Sequence, residues 1–189
     1  MLGLRRYKRT QIDIWQGDIT QFSVDLMVNA ANFELAGGLG VDGAIHAAGG
    51  PEILAECKKI GNCPTGSCVV TTAGRLPAKN VIHAVGPVWV DGNNKEAELL
   101  KTCYENIFVT AKNLGGRHLS IPAISTGAYR FPQGLAAEIA MTTAKKFIDH
   151  EYQSAPQRIT FVAIDGAAYD VLQKHLFASF ADEIDHFEQ

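Results

Sequence analysis

The sequence predicts one three-layer α/β domain with helices on both faces of a central mixed sheet of about six strands. Three observations carry this expectation. A chain of 189 residues is long enough for one substantial core and short for two. Short apolar runs of strand character alternate with longer stretches of helical spacing, the pattern of helical crossovers onto a largely parallel sheet. The link between Thr72 and Asn80 is too short for such a crossover, so the two strands it joins run antiparallel.

In order along the chain, QIDIWQ at 11–16 alternates apolar and polar residues, and 24–30 is nearly continuously apolar; both read as strands. Helical spacing then runs from 42 to 60, interrupted by Gly49, Gly50 and Pro51. Strands follow at 67–72 and 80–85, a helix over 96–114, a strand at 118–121, a helix over 134–149, a strand at 158–164 and a helix over 168–180. Arg5, Arg6, Lys8 and Arg9 precede the first strand and read as a solvated terminus, while the acidic tail ADEIDHFEQ reads as a fraying end.

With 47% hydrophobic and 20% charged residues and a net charge of −3, the composition is that of an ordinary soluble globular protein, and it advertises no nucleic-acid partner. Neither a secretory signal nor a membrane span is legible, so a cytoplasmic location is expected. Cys57, Cys63, Cys68 and Cys103 lack paired metal-site spacing and read as reduced structural thiols, with no metal expected.

Within VNAANFELAGGLGVDGAIHAAGG, Gly38 to Gly43 match the dinucleotide pattern G-x-G-x-x-G. In that fold the first glycine follows the strand almost directly, and a carboxylate ends the next strand. Here 31–37 intervene, and the next strand ends in SCVVTTAGR without a carboxylate, which argues against a nicotinamide enzyme. The physics beneath the pattern survives: glycines leading into a helix present free N–H groups and a positive dipole end to an anion, and phosphate is the anion expected. Ser125, Thr126 and Gly127, between a strand and a helix, form either a second such loop or a plain turn. Asn29 and Asn32, where the second strand runs out, suit either sugar hydroxyls or a turn, and Asp42 suits either a helix N-cap or catalysis.

The segments QGDIT, VNAAN, GGLGVDGAIH, CPTGSCVVTTAGRLPAKNVIHAVGPVW and IPAISTGAYRFP resemble, in order and spacing, the macrodomains, and specifically the branch of ADP-ribose hydrolases and O-acetyl-ADP-ribose deacetylases that includes the MacroD proteins. The resemblance covers about residues 10–180 of a domain spanning 1–189. It implies ADP-ribose and its acylated derivatives as ligands, mono-ADP-ribosylated proteins as further partners, and neither a membrane nor a cofactor. Asp18, with the backbone at Ile19, is similar to the acceptor for the adenine amino group. Gly38, Gly40 and Val41 are similar to one diphosphate loop, and Ser125, Thr126, Gly127, Ala128 and Tyr129 to the other. Asn32 is similar to the asparagine that holds the distal ribose, and Asp42 to the catalytic aspartate. The favoured chemistry is hydrolysis of an ester on that ribose; a non-catalytic ADP-ribose reader and an ADP-ribose-1''-phosphate phosphatase are the alternatives. The chain departs from the pattern at Phe33, Leu39, Ala47 and Arg130, and it has Ile164 and Asp165 where an aromatic residue commonly stacks on adenine.

Overall fold

A computed structural model describes residues 3–180; the acidic tail at 181–189 lies outside the described residues. The elements are β1 (Leu4–Tyr7), β2 (Thr10–Gln16), a single 3-10 turn (Ile19–Gln21), β3 (Leu26–Ala30), α1 (Gly40–Gly49), α2 (Pro51–Ile60), β4 (Cys68–Thr72), β5 (Asn80–Ala84), α3 (Glu96–Asn113), β6 (His118–Pro122), α4 (Gln133–Glu151), β7 (Arg158–Ala163) and α5 (Gly166–Ser179). The sheet order is β1-β2-β7-β6-β3-β5-β4. The central strands run parallel, and both edge strands are antiparallel to their neighbours, including β4 against β5 as the short link required.

The sheet has seven strands rather than about six. The additional strand, β1, lies in the basic cluster that read as a solvated terminus. Its alternation is hidden because charged residues do apolar work there. The Arg5 guanidinium lies 3.9 Å from the Phe177 ring centroid, Tyr7 is buried and donates to Asp149 Oδ1 at 2.7 Å, and Lys8 pairs with Asp149 at 2.7 Å. A short cationic strand is also a common way to protect a sheet edge from further pairing.

Two apolar clusters sandwich the sheet. Alternate residues Leu26 and Val28 of β3, Ile82 of β5, Ile121 of β6 and Phe161 of β7 pack on one face with α3, α4 and α5. Met27, Val81 and Val162 point the other way, to Ile45 of α1 and Ile53 and Cys57 of α2. Gly50, with φ at 91°, separates α1 from α2, with Pro51 starting the second helix, as the sequence break anticipated.

The adjacent strands β3 and β6 therefore lead into opposite layers, β3 into α1 and β6 into α4. Their following loops, 31–39 and 123–132, diverge and leave a crevice at the carboxyl ends of the parallel strands, where α/β sheets bind their ligands. No helix among the described residues is long and apolar enough to cross a membrane.

Candidate functional site

The first crevice loop is tied by Asn32, whose Nδ2 donates to Gly37 O at 2.8 Å and whose Oδ1 accepts from Ala36 N at 3.1 Å. An amide has further donor and acceptor capacity, so the half-buried side chain can still meet a ligand. The loop ends in α1, whose N-cap is Leu39 and has no side-chain cap. The first N–H groups of α1 are therefore not closed off by a side chain, which suits an anion. Gly40 opens the helix with φ at 62°, and a Cβ there would meet nothing within 4 Å. Gly40 and Gly38 are exposed and Val41 is half-buried.

Asp42 does not cap the helix; it lies inside the first turn of α1, which rules out the plain capping role. It is 6% exposed, and Asn29 Nδ2 donates to its Oδ1 at 2.6 Å. Burial raises its pKa above the ordinary aspartate value, against the opposing effects of the Asn29 bond and the nearby His46. Its other oxygen faces Asn32: a Cβ built on Gly38 would stand 3.1 Å from Asp42 Oδ2 and 3.6 Å from Asn32 Nδ2. The missing side chain of Gly38 thus leaves a gap flanked by a carboxylate and an amide.

Asn29 does not reach this gap. It is fully buried in β3, so it cannot orient sugar hydroxyls and instead holds Asp42. The same Nδ2 lies 3.0 Å from His83 Nδ1, and His83 Nε2 lies 2.8 Å from Thr71 Oγ1. With an amide donor on Nδ1, His83 is the Nε2–H tautomer donating to Thr71, whose hydroxyl in turn donates to Thr72 O at 2.9 Å. Burial, assisted by His46, lowers the His83 pKa to about 4, so the ring is neutral near pH 7. His46 was missed in the sequence, although its place four residues after Asp42 on one helix face is a local signal that could have found it. His83 had no such signal, because its place opposite Asn29 is set by the pairing of β3 with β5.

Across the crevice, Ser125 has φ at 65° and is 6% exposed, with its Oγ buried and unpartnered. A Cβ on Gly86 would come within 2.2 Å of that Oγ, so the chain just beyond β5 has to be glycine for the loop to seat. What Ser125 offers the crevice is backbone. Thr126 Oγ1 donates to Ala123 O at 2.9 Å, whereas Gly127 and Ala128 are exposed. Tyr129 is half-buried; burial raises its pKa, and so do Glu34 and Asp42 of the facing side. Arg130 is exposed, with φ at 56°. The loop is braced from behind: Trp89 N donates to Tyr129 O at 2.8 Å, and the Trp89 and Phe131 rings meet edge to face at 4.8 Å.

At the far end, Asp18 follows β2 and is exposed; its Oδ1 accepts from Thr20 N at 2.9 Å and Thr20 Oγ1 at 2.8 Å. Ile19 is buried, so only its backbone is available to a ligand. Ile164 is 78% exposed, Asp165 caps α5 through Ala168 N at 2.8 Å, and the Tyr169 hydroxyl accepts from Gly3 N at 3.0 Å. No aromatic ring among these stands free at the β7 end. β2, β7, β6 and β3 are successive neighbours in the sheet, so Asp18 and Asn32 lie roughly 14 Å apart across it, from the usual strand spacing. An elongated ligand could touch both ends.

The family model described as Macro domain matches residues 28–140. The O-acetyl-ADP-ribose deacetylase of Escherichia fergusonii is 51% identical over 161 residues, which cover 83% of this chain and 90% of that protein. The O-acetyl-ADP-ribose deacetylase of Enterobacter cloacae is 45% identical over 172 residues, covering 89% and 94%. Among solved structures, the Oceanobacillus iheyensis macrodomain with ADP superposes with a TM-score of 0.90 at 34% identity, covering 95% of this chain and 97% of that one. The Trypanosoma brucei macrodomain in complex with ADP-ribose gives a TM-score of 0.81 at 35% identity, covering 86% and 68%.

Proposed function

The chain belongs to the macro domain family, and from that membership we propose that it binds ADP-ribose and hydrolyses an ester on the distal ribose. The substrate is O-acetyl-ADP-ribose, together with proteins in which an acidic side chain carries the same acylated ribose. Adenine would lie at Asp18 and Ile19, and the diphosphate between the uncapped start of α1 at Gly40 and Val41 and the loop from Ser125 to Tyr129. The distal ribose would sit at Asn32.

The observation that carries the catalytic reading is Asp42, a buried carboxylate of raised pKa with one oxygen held by Asn29 and the other facing Asn32 across Gly38. A capping or structural aspartate needs none of this arrangement. In the proposed reaction Asp42 Oδ2 takes a proton from water as the water oxygen bonds to the acyl carbon. The tetrahedral adduct then collapses, the bond to the ribose oxygen breaks, and that oxygen recovers the proton, leaving the free acid and ADP-ribose. General-base help of this kind contributes about 10²–10⁴-fold. Asn32 contributes by holding the ribose in reach of that water.

The test is Asp42→Asn. The amide keeps the shape and can still accept from Asn29, but it cannot take the proton. We expect ADP-ribose binding by calorimetry to be retained while acetate release slows by about 10²-fold or more in kcat. Equal turnover would remove Asp42 from the chemistry, and an inactive wild type that still binds ADP-ribose would make the protein a reader.

A further inference from the structure

Behind Asp42, away from the gap at Gly38, His46 of α1, Cys57 of α2 and His83 of β5 bring one potential ligand atom each to within 4.8 Å of one another. Cys57 and His83 are fully buried, and the His46 side chain is 12% exposed. Cys57 Sγ is 3.9 Å from His83 Nε2, close to the roughly 3.6 Å between thiolate and imidazole ligands on a tetrahedral zinc ion. One of the three separations in the trio is therefore already close to that on zinc. Drawing in His46 takes a further movement of roughly 1 Å, within the reach of a side-chain rotation.

Unpartnered atoms supply an independent sign. Buried polar atoms are ordinarily hydrogen-bonded, yet both ring nitrogens of His46 and the Oδ1 of Asn29 are buried without a hydrogen-bond partner. Among the described residues the other such atoms are Ser120 Oγ and Ser125 Oγ, so three of the five gather in this one cluster, where His46 Nε2 has only the Asp42 carboxylate near it, and the proposed hydrolysis uses none of the three.

We propose that His46, Cys57 and His83 form a binding site for a transition-metal ion of the zinc class, completed by Asp42, and that filling it switches the hydrolase off. Thiolate and imidazole donors select zinc and its relatives over magnesium or calcium, which prefer oxygen. Asp42 Oδ1 lies 3.4 Å from His46 Nε2, near enough to swing onto the same ion. The protons balance. Cys57 loses its thiol proton to solvent as the sulfur–metal bond forms. His83 frees Nε2 by moving its proton to Nδ1 and releasing Thr71, which keeps its bond to Thr72 O. The Asn29 amide then turns over, so that its unpartnered Oδ1 accepts the new Nδ1–H while Asp42 leaves it for the metal. A carboxylate on the metal no longer takes a proton from water. The route in runs past His46, whose ring lies beneath Gly37 of the first crevice loop, where an added Cβ would stand 3.5 Å from it.

The test is a titration of the chelator-treated wild-type protein with Co²⁺, a spectroscopic substitute for zinc. We expect one equivalent to produce visible d–d bands and a thiolate-to-cobalt charge-transfer band, with Zn²⁺ displacing both. Cys57→Ala should abolish the charge-transfer band and weaken binding at least about tenfold; His46→Asn, which sits nearer the surface and decides the matter if the core variant does not fold, should keep that band but shift the d–d bands and weaken Co²⁺ binding at least about tenfold. No charge-transfer band in the wild type would overturn the site. So would an unchanged charge-transfer band in Cys57→Ala, because another thiol would then be the ligand, or unchanged d–d bands and Co²⁺ affinity in His46→Asn. The inhibitory part rests on the hydrolase reading and is measured separately: Zn²⁺ should stop acetate release by the wild type and spare Cys57→Ala. The cobalt spectrum needs no activity, so failure of the site and failure of the hydrolase reading are told apart.

Discussion

Replacing Asn29 by alanine removes a residue that never touches ligand and should nonetheless impair both stability and chemistry. Its Nδ2 donates to Asp42 Oδ1 at 2.6 Å and lies 3.0 Å from His83 Nδ1, and the side chain is fully buried. A hydrogen bond to a charged group contributes about 1.5–3 kcal/mol and a neutral one about 0.5–1.5, and here both partners would be left buried without it. The expected loss of stability is therefore about 2–4 kcal/mol. For a chain of this length that corresponds to a fall in Tm on the order of 5–15 °C. The chemical effect has a definite sign. The Asn29 bond holds the Asp42 pKa down against burial, so without it the carboxylate stays protonated to higher pH and the acid limb of the kcat/KM profile moves up. Thermal unfolding and a pH–rate profile for O-acetyl-ADP-ribose hydrolysis read the two consequences. A variant with unchanged Tm and an unmoved acid limb would refute the assignment of Asn29 as the residue that positions Asp42.

Other perturbations separate the parts of the site. Gly38→Ala places a methyl group 3.1 Å from Asp42 Oδ2, and Gly38 is not among the positive-φ glycines, so hydrolysis should fall at least tenfold, about 1.4 kcal/mol in barrier, while the unfolding midpoint barely moves. Asp18→Ala should weaken ADP-ribose by about 1–3 kcal/mol in calorimetry and leave ribose-5-phosphate unaffected; equal losses for both would remove Asp18 from the adenine end. For Glu96 the pH sign is fixed. Burial raises its pKa, but backbone N–H groups, its own first and then those of Val90, Asn94 and Gly92, outweigh this and bring it down to about 2 from 4.5. Its stabilisation is complete above the unfolded value and is lost as pH falls toward 2, so Glu96→Gln should lower Tm at pH 7 and flatten the Tm-against-pH curve between pH 4.5 and 2.

How much was legible beforehand depended on whether the signal was local. Strand and helix alternation is written in residues a few positions apart, and each interior strand appeared close to its place. β1 did not, because its inward-facing groups are the stem of Arg5 and the ring of Tyr7 rather than an alternating aliphatic pattern. In the site, the glycines, Asn32 and Asp42 stood out because their spacing is local and their order specific. The role of Asp42 turned on where α1 begins: with Leu39 as the cap, the aspartate falls inside the first turn and its side chain turns toward β3. Asn29 was visible but misassigned, and His83 was missed. Both depend on a register, Asn29 opposite His83, which arises only when distant segments pair.

Glu96 has a consequence for the crevice as well as for acid stability. Its two carboxylate oxygens accept from the backbone of Val90, Asp91, Gly92 and Asn94, so this turn holds an anion that the chain itself supplies. The turn is continuous with Trp89, which supports Tyr129 and Phe131 from behind. One wall of the crevice is thus set at the moment of folding and does not wait for a ligand to order it. On the proposed reading, a diphosphate arriving there would lose its own freedom but ask little ordering of the protein, and the loss of apparent affinity that falls on sites which must first be assembled is not expected of this wall.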